Sequence, residues 1–150
     1  MKRTIIIIVI LVLAIGGFIG YRMFDEKTPD VTDQKPDVVI TARELIAAFD
    51  RDTASASKMY IDKVIEVSGT VNSVDTSGSV VLGEPGSASS VTVSLDRRHI
   101  NDHKNLKIGS AAVLQGICSG YSKAGGDPDD LLAGLGTTVE LNFAGVKDKK

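Results

Sequence analysis

Apolar and polar positions alternate along much of this chain with the two-residue period of β-strands, and one stretch near the N-terminus has no alternation at all. The alternation is clearest from Lys63 to Val74, where Ile65, Val67 and Val71 share one parity and Glu66, Ser68, Thr70 and Asn72 share the other. That is the pattern of a strand with one face on a core and one in water. Gly69 interrupts the inward row and the apolar parity changes between Val71 and Val74, so a bend or bulge is predicted within one long, curled strand. A first strand of that length can take part in both halves of the wall of a small closed barrel. Four shorter strands follow: Val80 to Leu82; Ser90 to Leu95 with Val91, Val93 and Leu95 inward; Ala111 to Tyr121 with Ala112, Leu114, Gly116 and Cys118 inward; and a fifth on which Val139, Leu141 and Phe143 alternate. Asp75 to Ser79 and Gly83 to Ser87 carry turn chemistry between them.

Helical period appears before the long strand. Thr41-Ala42-Arg43-Glu44 fits a capping box, Ile40 and Leu45 are placed as a hydrophobic staple, and Leu45, Ile46 and Phe49 give an inner face. Asp50-Arg51-Asp52 is expected to break or bend this helix before Ala54 to Tyr60, with Phe49 and Tyr60 in the core. The polar connection from Asp96 to Ile108 holds both histidines. In the loop from Ser122 to Gly136, Asp127-Pro128-Asp129-Asp130 has a cap residue, a proline at the first helical position and acids against the dipole, which predicts a short helix ending at Gly134.

The stretch without alternation is Ile5 to Tyr21, uniformly apolar and preceded by Lys2 and Arg3. As a helix it would span roughly 26 Å, and Arg22 to Phe24 extend it to a full bilayer core. Arg22 sits where its side chain can snorkel to the head groups. Basic residues before the run and Asp25-Glu26 after it predict an N-terminus in the cytoplasm and an exported domain. A cleaved signal peptide is the competing reading, since Ala14-Ile15-Gly16 offers small residues, but the apolar sequence continues through Phe18 and Ile19. No cysteine directly follows the run, so a lipid-modified cysteine is not expected. The organisation read from the sequence is a transmembrane anchor at residues 1–24, a mobile, semi-extended linker at 25–38 with Pro29 and Pro36, a barrel domain at 39–146 and a polar tail at 147–150.

Five strands whose one long polar connection lies between the third and fourth are the layout of a mainly β, five-stranded OB-fold, a Greek-key barrel, here preceded by the N-terminal helix. The residues themselves point the same way. Ile40-Thr41-Ala42-Arg43-Glu44-Leu45-Ile46-Ala47-Ala48-Phe49, Ala54 to Lys58, Tyr60-Ile61-Asp62-Lys63, Val67-Ser68-Gly69-Thr70-Val71 and Gly109 through Gly116 to Tyr121 resemble the bacterial tRNA_anti-like family of OB-fold domains, over Val39 to Phe143. Asp62 stands where a glycine before the lysine is more usual in that family. The resemblance implies the OB-fold and a kinship to anticodon-binding domains; it implies no catalytic residue and no cofactor.

Charge narrows the functional classes. Of 17 basic and 19 acidic residues, Lys2, Arg3 and Arg22 flank the apolar run. Asp25 to Lys150 therefore holds 14 basic against 19 acidic residues, a net of −5 that repels phosphate backbones. Phe49, Tyr60, Tyr121 and Phe143 are its only aromatics, too few for a base-stacking platform. Cys118 is alone and reads as a small buried hydrophobe. His99 and His103, spaced i, i+4 with Asp96 and Asp102 nearby, could form a metal site on a helix, against the simpler reading of a solvated connection. Asp127, Asp129 and Asp130 lack the spacing of a calcium loop. Arg97-Arg98 reads as solvated surface. No Gly-x-Ser-x-Gly elbow is present, and no catalytic residue is assigned.

The expectation is a non-enzymatic, membrane-anchored, extracytoplasmic binding module without cofactor. It would be held in the bacterial cytoplasmic membrane through residues 4–24, and it would meet an envelope protein or small ligand through the second and third strands and the loops at Asp75 to Ser79 and Ser122 to Gly136. The alternatives are a single-stranded nucleic-acid-binding domain, opposed by the charge, and a weak metal site at His99 and His103.

Overall fold

The computed structural model describes residues 30–123 and 136–147. The apolar run and the short helix expected at 127–134 lie outside the described residues. Among the described residues no helix is long and apolar enough to cross a membrane.

The chain runs β1 (Val38–Thr41), α1 (Ala42–Arg51), α2 (Thr53–Tyr60), β2 (Val64–Val74), β3 (Ser79–Leu82), β4 (Ser90–Leu95), β5 (Ala111–Lys123) and β6 (Thr137–Val146), with single 3₁₀ turns at Val31–Asp33 and Ile100–Asn105. β2 pairs antiparallel with β3, β3 with β4 and β5 with β6, while β4 pairs parallel with β6. β2 also pairs antiparallel with β5. The ring β2-β3-β4-β6-β5 therefore closes into a five-stranded barrel, the strand order of an OB-fold. It closes because β2 is long enough to serve twice: Val64 to Thr70 lie against β5, and Val71 to Val74 lie against β3. β1, which the sequence pattern did not suggest, adds a parallel strand beside Ile65 to Ser68.

Ile65, Val67, Val71, Val80, Leu82, Val91, Val93, Leu114, Cys118, Val139 and Leu141 are all fully buried and fill the barrel, as the alternation predicts. α1 seals one end of it. Its capping box is formed, with the Thr41 hydroxyl accepting from the Glu44 amide and the Glu44 carboxylate accepting from the Thr41 amide. Leu45 and Phe49 are fully buried, and the Phe49 ring sits 6.0 Å from Tyr60 and 5.0 Å from Tyr121. Burying two such side chains contributes on the order of 3–6 kcal/mol. Asp52 breaks the helix as expected: its own amide closes α1 on Ala48, and its carboxylate caps α2 through the Ser55 amide.

Four expectations are corrected. The register shift falls between Val71 and Ser73, inside the stretch where the apolar parity changes, but Gly69 is not the bulge, since β2 pairs regularly with β5 through it. Its missing side chain instead allows close approach, since a Cβ there would lie 3.0 Å from that of Ala42 and 3.3 Å from that of Leu82. Phe143 does not point inward. Its backbone is left-handed (φ 55°) and its side chain is 55% exposed, so the parity of β6 switches there and Ala144 takes the buried position. The linker expected over residues 25–38 is docked from Asp30 onward, with Val31 1% exposed and Val38 already in a strand. The second and fourth strands of the barrel also run longer than expected, from Ser79 and to Lys123.

Asp62 also has a left-handed backbone, at φ 61°. A glycine adopts that conformation without cost, and aspartate is among the few residues that tolerate it. This accounts for the residue standing where the resembling family more often has glycine.

Candidate binding surface

The sheet face that OB-folds generally use for binding is built here from β3 and β4 with β6 beside them. Inward positions are fixed by the core, so the outward positions follow: Ser79 and Val81 on β3, Ser90, Thr92 and Ser94 on β4, and Thr138, Glu140 and Asn142 on β6. Pairing sets Val81, Thr92 and Glu140 side by side across the three strands. At these eight positions the side chains are short and mostly hydroxylic, with one negative charge, no cation and no aromatic ring; beside them on β6 the out-turned Phe143 ring is 55% exposed. A strand of nucleic acid needs rings to stack on and cations to hold its phosphates. What the face offers is hydrogen bonding to a neutral or weakly charged partner.

One flanking loop, Asp75 to Gly78, is a self-contained turn. The Asp75 carboxylate accepts from the hydroxyl and amide of Ser77 and from Thr76, and those bonds, that of the Ser77 hydroxyl first, hold it below the usual carboxylate range. Of the other expected loop, Ser122 and Lys123 belong to β5, and Lys123 Nζ donates to the Asp50 carbonyl at 2.9 Å; most of the remainder lies outside the described residues.

A groove of about 910 Å³ runs beside the first turn of α1 over the middle of β2 and the start of β5. Thr41, Arg43, Ser68, Thr70, Glu84 and Ser110 are among its lining residues. Arg43 and Glu84 face each other at 3.3 Å across it, with side chains 80% and 60% exposed. A pair that open contributes well under about 1 kcal/mol.

A polar cluster closes the far end of the barrel from α1. His99 Nε2 is 2.8 Å from Asp30 Oδ2, and its Nδ1 is 3.3 Å from Asp102 Oδ2. Arg98 forms a two-pronged contact with Asp96, Nε to Oδ1 at 3.0 Å and Nη2 to Oδ2 at 2.9 Å, and reaches Asp30 at 3.9 Å. The side-chain bond from Arg98 holds the Asp96 carboxyl down at about 2. Burial works to raise Asp30, but the bonds from Thr32 and His99 outweigh it and leave its carboxyl low.

The two histidines do not share a face. His99 precedes the 3₁₀ turn and turns to Asp30, while His103 Nδ1 lies against the Ile100 carbonyl. At three residues per turn the i, i+4 positions diverge, and both nitrogens of His99 are already engaged. Among the described residues no group of histidine, cysteine and acidic side chains is arranged to hold a metal ion. Arg98 is part of a network rather than solvated surface; Arg97 beside it is exposed. Cys118 is fully buried, and burial pushes its thiol up to about 11. Asp127, Asp129 and Asp130 lie outside the described residues.

The group that sequence reasoning missed is centred on Gln115, which is fully buried on β5. Its Nε2 donates to the carbonyls of Val31 at 2.6 Å and Gln34 at 2.7 Å, and its Oε1 accepts from Lys147 Nζ at 2.6 Å. Lys147 also donates to the Thr32 carbonyl at 2.9 Å. Residues 30–34 are thereby strapped across the outer face of β5 and β6. A long polar residue at an outward position of an apolar strand was the one available signal, and alone it does not say which segment covers it.

The sequence profile of the tRNA_anti-like family matches residues 1–126. Among solved structures, a lipoprotein from Klebsiella pneumoniae subsp. pneumoniae MGH 78578, provisionally assigned as nucleic acid-binding, aligns with a TM-score of 0.53 at 18% identity, covering 77% of this chain and 100% of its own. A chain provisionally assigned as an aspartyl-tRNA synthetase from Leishmania major Friedlin aligns at 7% identity and a TM-score of 0.38 over 78% of this chain and 22% of its own, too weak a likeness to carry an argument. No curated protein matches the sequence. The first structural likeness bears on the fold alone.

Proposed function

The chain belongs to the tRNA_anti-like family, and on that premise we propose that it is a non-enzymatic binding module, held at the cytoplasmic membrane by residues 4–24 with its barrel outside the cytoplasm, which recognises an envelope protein or small ligand rather than nucleic acid. The observation that carries this reading is the outward face of β3, β4 and β6, which holds one charge, Glu140, no cation and a single exposed ring, Phe143. Single-stranded nucleic acid binds OB domains through successive bases stacked on rings, worth about 1–3 kcal/mol per base, and through phosphate contacts; this face supplies one ring, Phe143, and no cation. The net charge of −5 over Asp25 to Lys150 opposes phosphates further. The anchor rests on the apolar run and on the basic residues that precede it.

The nucleic-acid alternative is favoured by the kinship of the family to anticodon-binding domains and by the provisional assignment of the Klebsiella lipoprotein. Titrating fluorescent oligothymidine with residues 25–150 at low salt decides between the two. The proposal expects no saturation in the micromolar range, where an OB domain with working phosphate contacts would saturate. Micromolar binding that weakens steeply with added salt would overturn it.

A further inference from the structure

The two ends of the barrel are closed differently, and the chain enters at only one of them. The connection from Asp96 to Ser110 joins the end of β4 to the start of β5: its first part, with His99 on Asp30 and Ile100 beside Gly78, lies at the end away from α1, while Asn105, Leu106 and Ser110 reach the groove beside α1. At the end away from α1 the arriving chain is fastened, by Asp30 to His99 and by Val31, Thr32 and Gln34 to Gln115 and Lys147. Phe24 ends the apolar run, and only Asp25 to Pro29 separate it from docked Asp30. Fully extended, that length reaches about 20 Å. Were the apolar run in a bilayer, so short a tether would bring Asp30, and the part of the connection that holds it, nearest to the membrane surface.

That connection carries four basic residues against two acidic ones in a domain that is acidic elsewhere. Both acids are engaged within the protein, Asp96 by Arg98 and Asp102 by His99. Arg97, Lys104 and Lys107 are exposed, and Ile108 beside them is 71% exposed. Lysines around a protruding aliphatic side chain are the chemistry of an interfacial contact with anionic head groups. Asp33 and Asp75 are also exposed near this end, so the attraction is local to the connection.

We propose that the β4–β5 connection is a membrane-docking face, on which Arg97, Lys104, Lys107 and Ile108 rest against an anionic phospholipid surface and fix the orientation of the barrel. This rests on the anchored reading given above. The test reconstitutes the full chain into phosphatidylethanolamine vesicles with or without phosphatidylglycerol, each containing a head-group quencher. A fluorophore is attached at Ser77→Cys, beside the docking face, or at Ser87→Cys, in the turn at the opposite end; buried Cys118 with its raised thiol is left unlabelled. With phosphatidylglycerol, quenching at position 77 should exceed that at 87 by about threefold or more, and Arg97→Glu/Lys104→Glu/Lys107→Glu should bring the two close to equality. Equal quenching in the unsubstituted chain, or a ratio unmoved by charge reversal or by omitting phosphatidylglycerol, overturns the docking face while leaving the anchor intact. Failure of the chain to sediment with vesicles overturns the anchor, and the docking face with it.

Discussion

The ends of this barrel make an instructive pair. One is closed by α1, which pushes Leu45 and Phe49 into the core and stacks Phe49 near Tyr60 and Tyr121. The other is closed by residues 30–34 and the β4–β5 connection, held by directional polar contacts: Gln115 and Lys147 to backbone carbonyls, and His99 and Arg98 to Asp30. Apolar burial is non-directional and scales with area, so the first end is an inseparable part of the core. Hydrogen bonds exchanged against water contribute only about 0.5–1.5 kcal/mol each, so the second end can open without the barrel unfolding.

The largest expected effect is at the apolar end. Phe49→Ala removes a fully buried ring and should cost about 3–5 kcal/mol, read as a lowered urea midpoint for the whole domain. A cost under about 1 kcal/mol would mean that α1 is not part of the core.

A smaller effect belongs to the polar end and depends on pH. The Asp96 carboxyl is held at about 2, below its ordinary 3.8. A depressed carboxyl stabilises the fold above the unfolded value and loses that contribution as pH falls through the folded one. The contribution of Asp96 should therefore be complete above about pH 4 and vanish toward pH 2. Asp96→Asn should cost under about 1 kcal/mol at pH 7, in keeping with a surface ion pair, and should flatten the fall in stability between those limits. An acid limb of unchanged shape in the variant would contradict the role given to Arg98.

The same contrast explains which parts of the structure could be read from the sequence. The capping box, the break at Asp52, the inward rows of β2 to β5 and the barrel order were legible because each is written in local spacing. Phe143 misled because alternation continues through it in sequence, while its left-handed backbone turns the side chain out. The docking of Val31 and the burial of Gln115 were not legible, since each depends on a partner 84 residues away. Residues 30–38 have the polar composition of a linker, and what ties them down lies far along the chain: the pocket of Val31, His99 for Asp30, Gln115 and Lys147 for backbone carbonyls, and Ile65 for Val38. For the binding surface, the sequence already showed the scarcity of rings and cations; the barrel adds that no cation and a single ring, Phe143, fall on the outward face of β3, β4 and β6.

The separability of the two ends is tested most directly at Gly145. A Cβ there would lie 2.5 Å from Thr32 Cγ2 and 2.8 Å from His99 Cγ, so Gly145→Ala forces the strap off without touching α1. Amide hydrogen exchange in the native state should then show Thr32, Asp33 and Gln34 losing protection, while amides of α1 and β2 keep theirs and global stability falls by no more than about 1 kcal/mol. Equal loss of protection in the strap, α1 and β2 would contradict the account, because the polar end would then be part of the same cooperative core as Phe49.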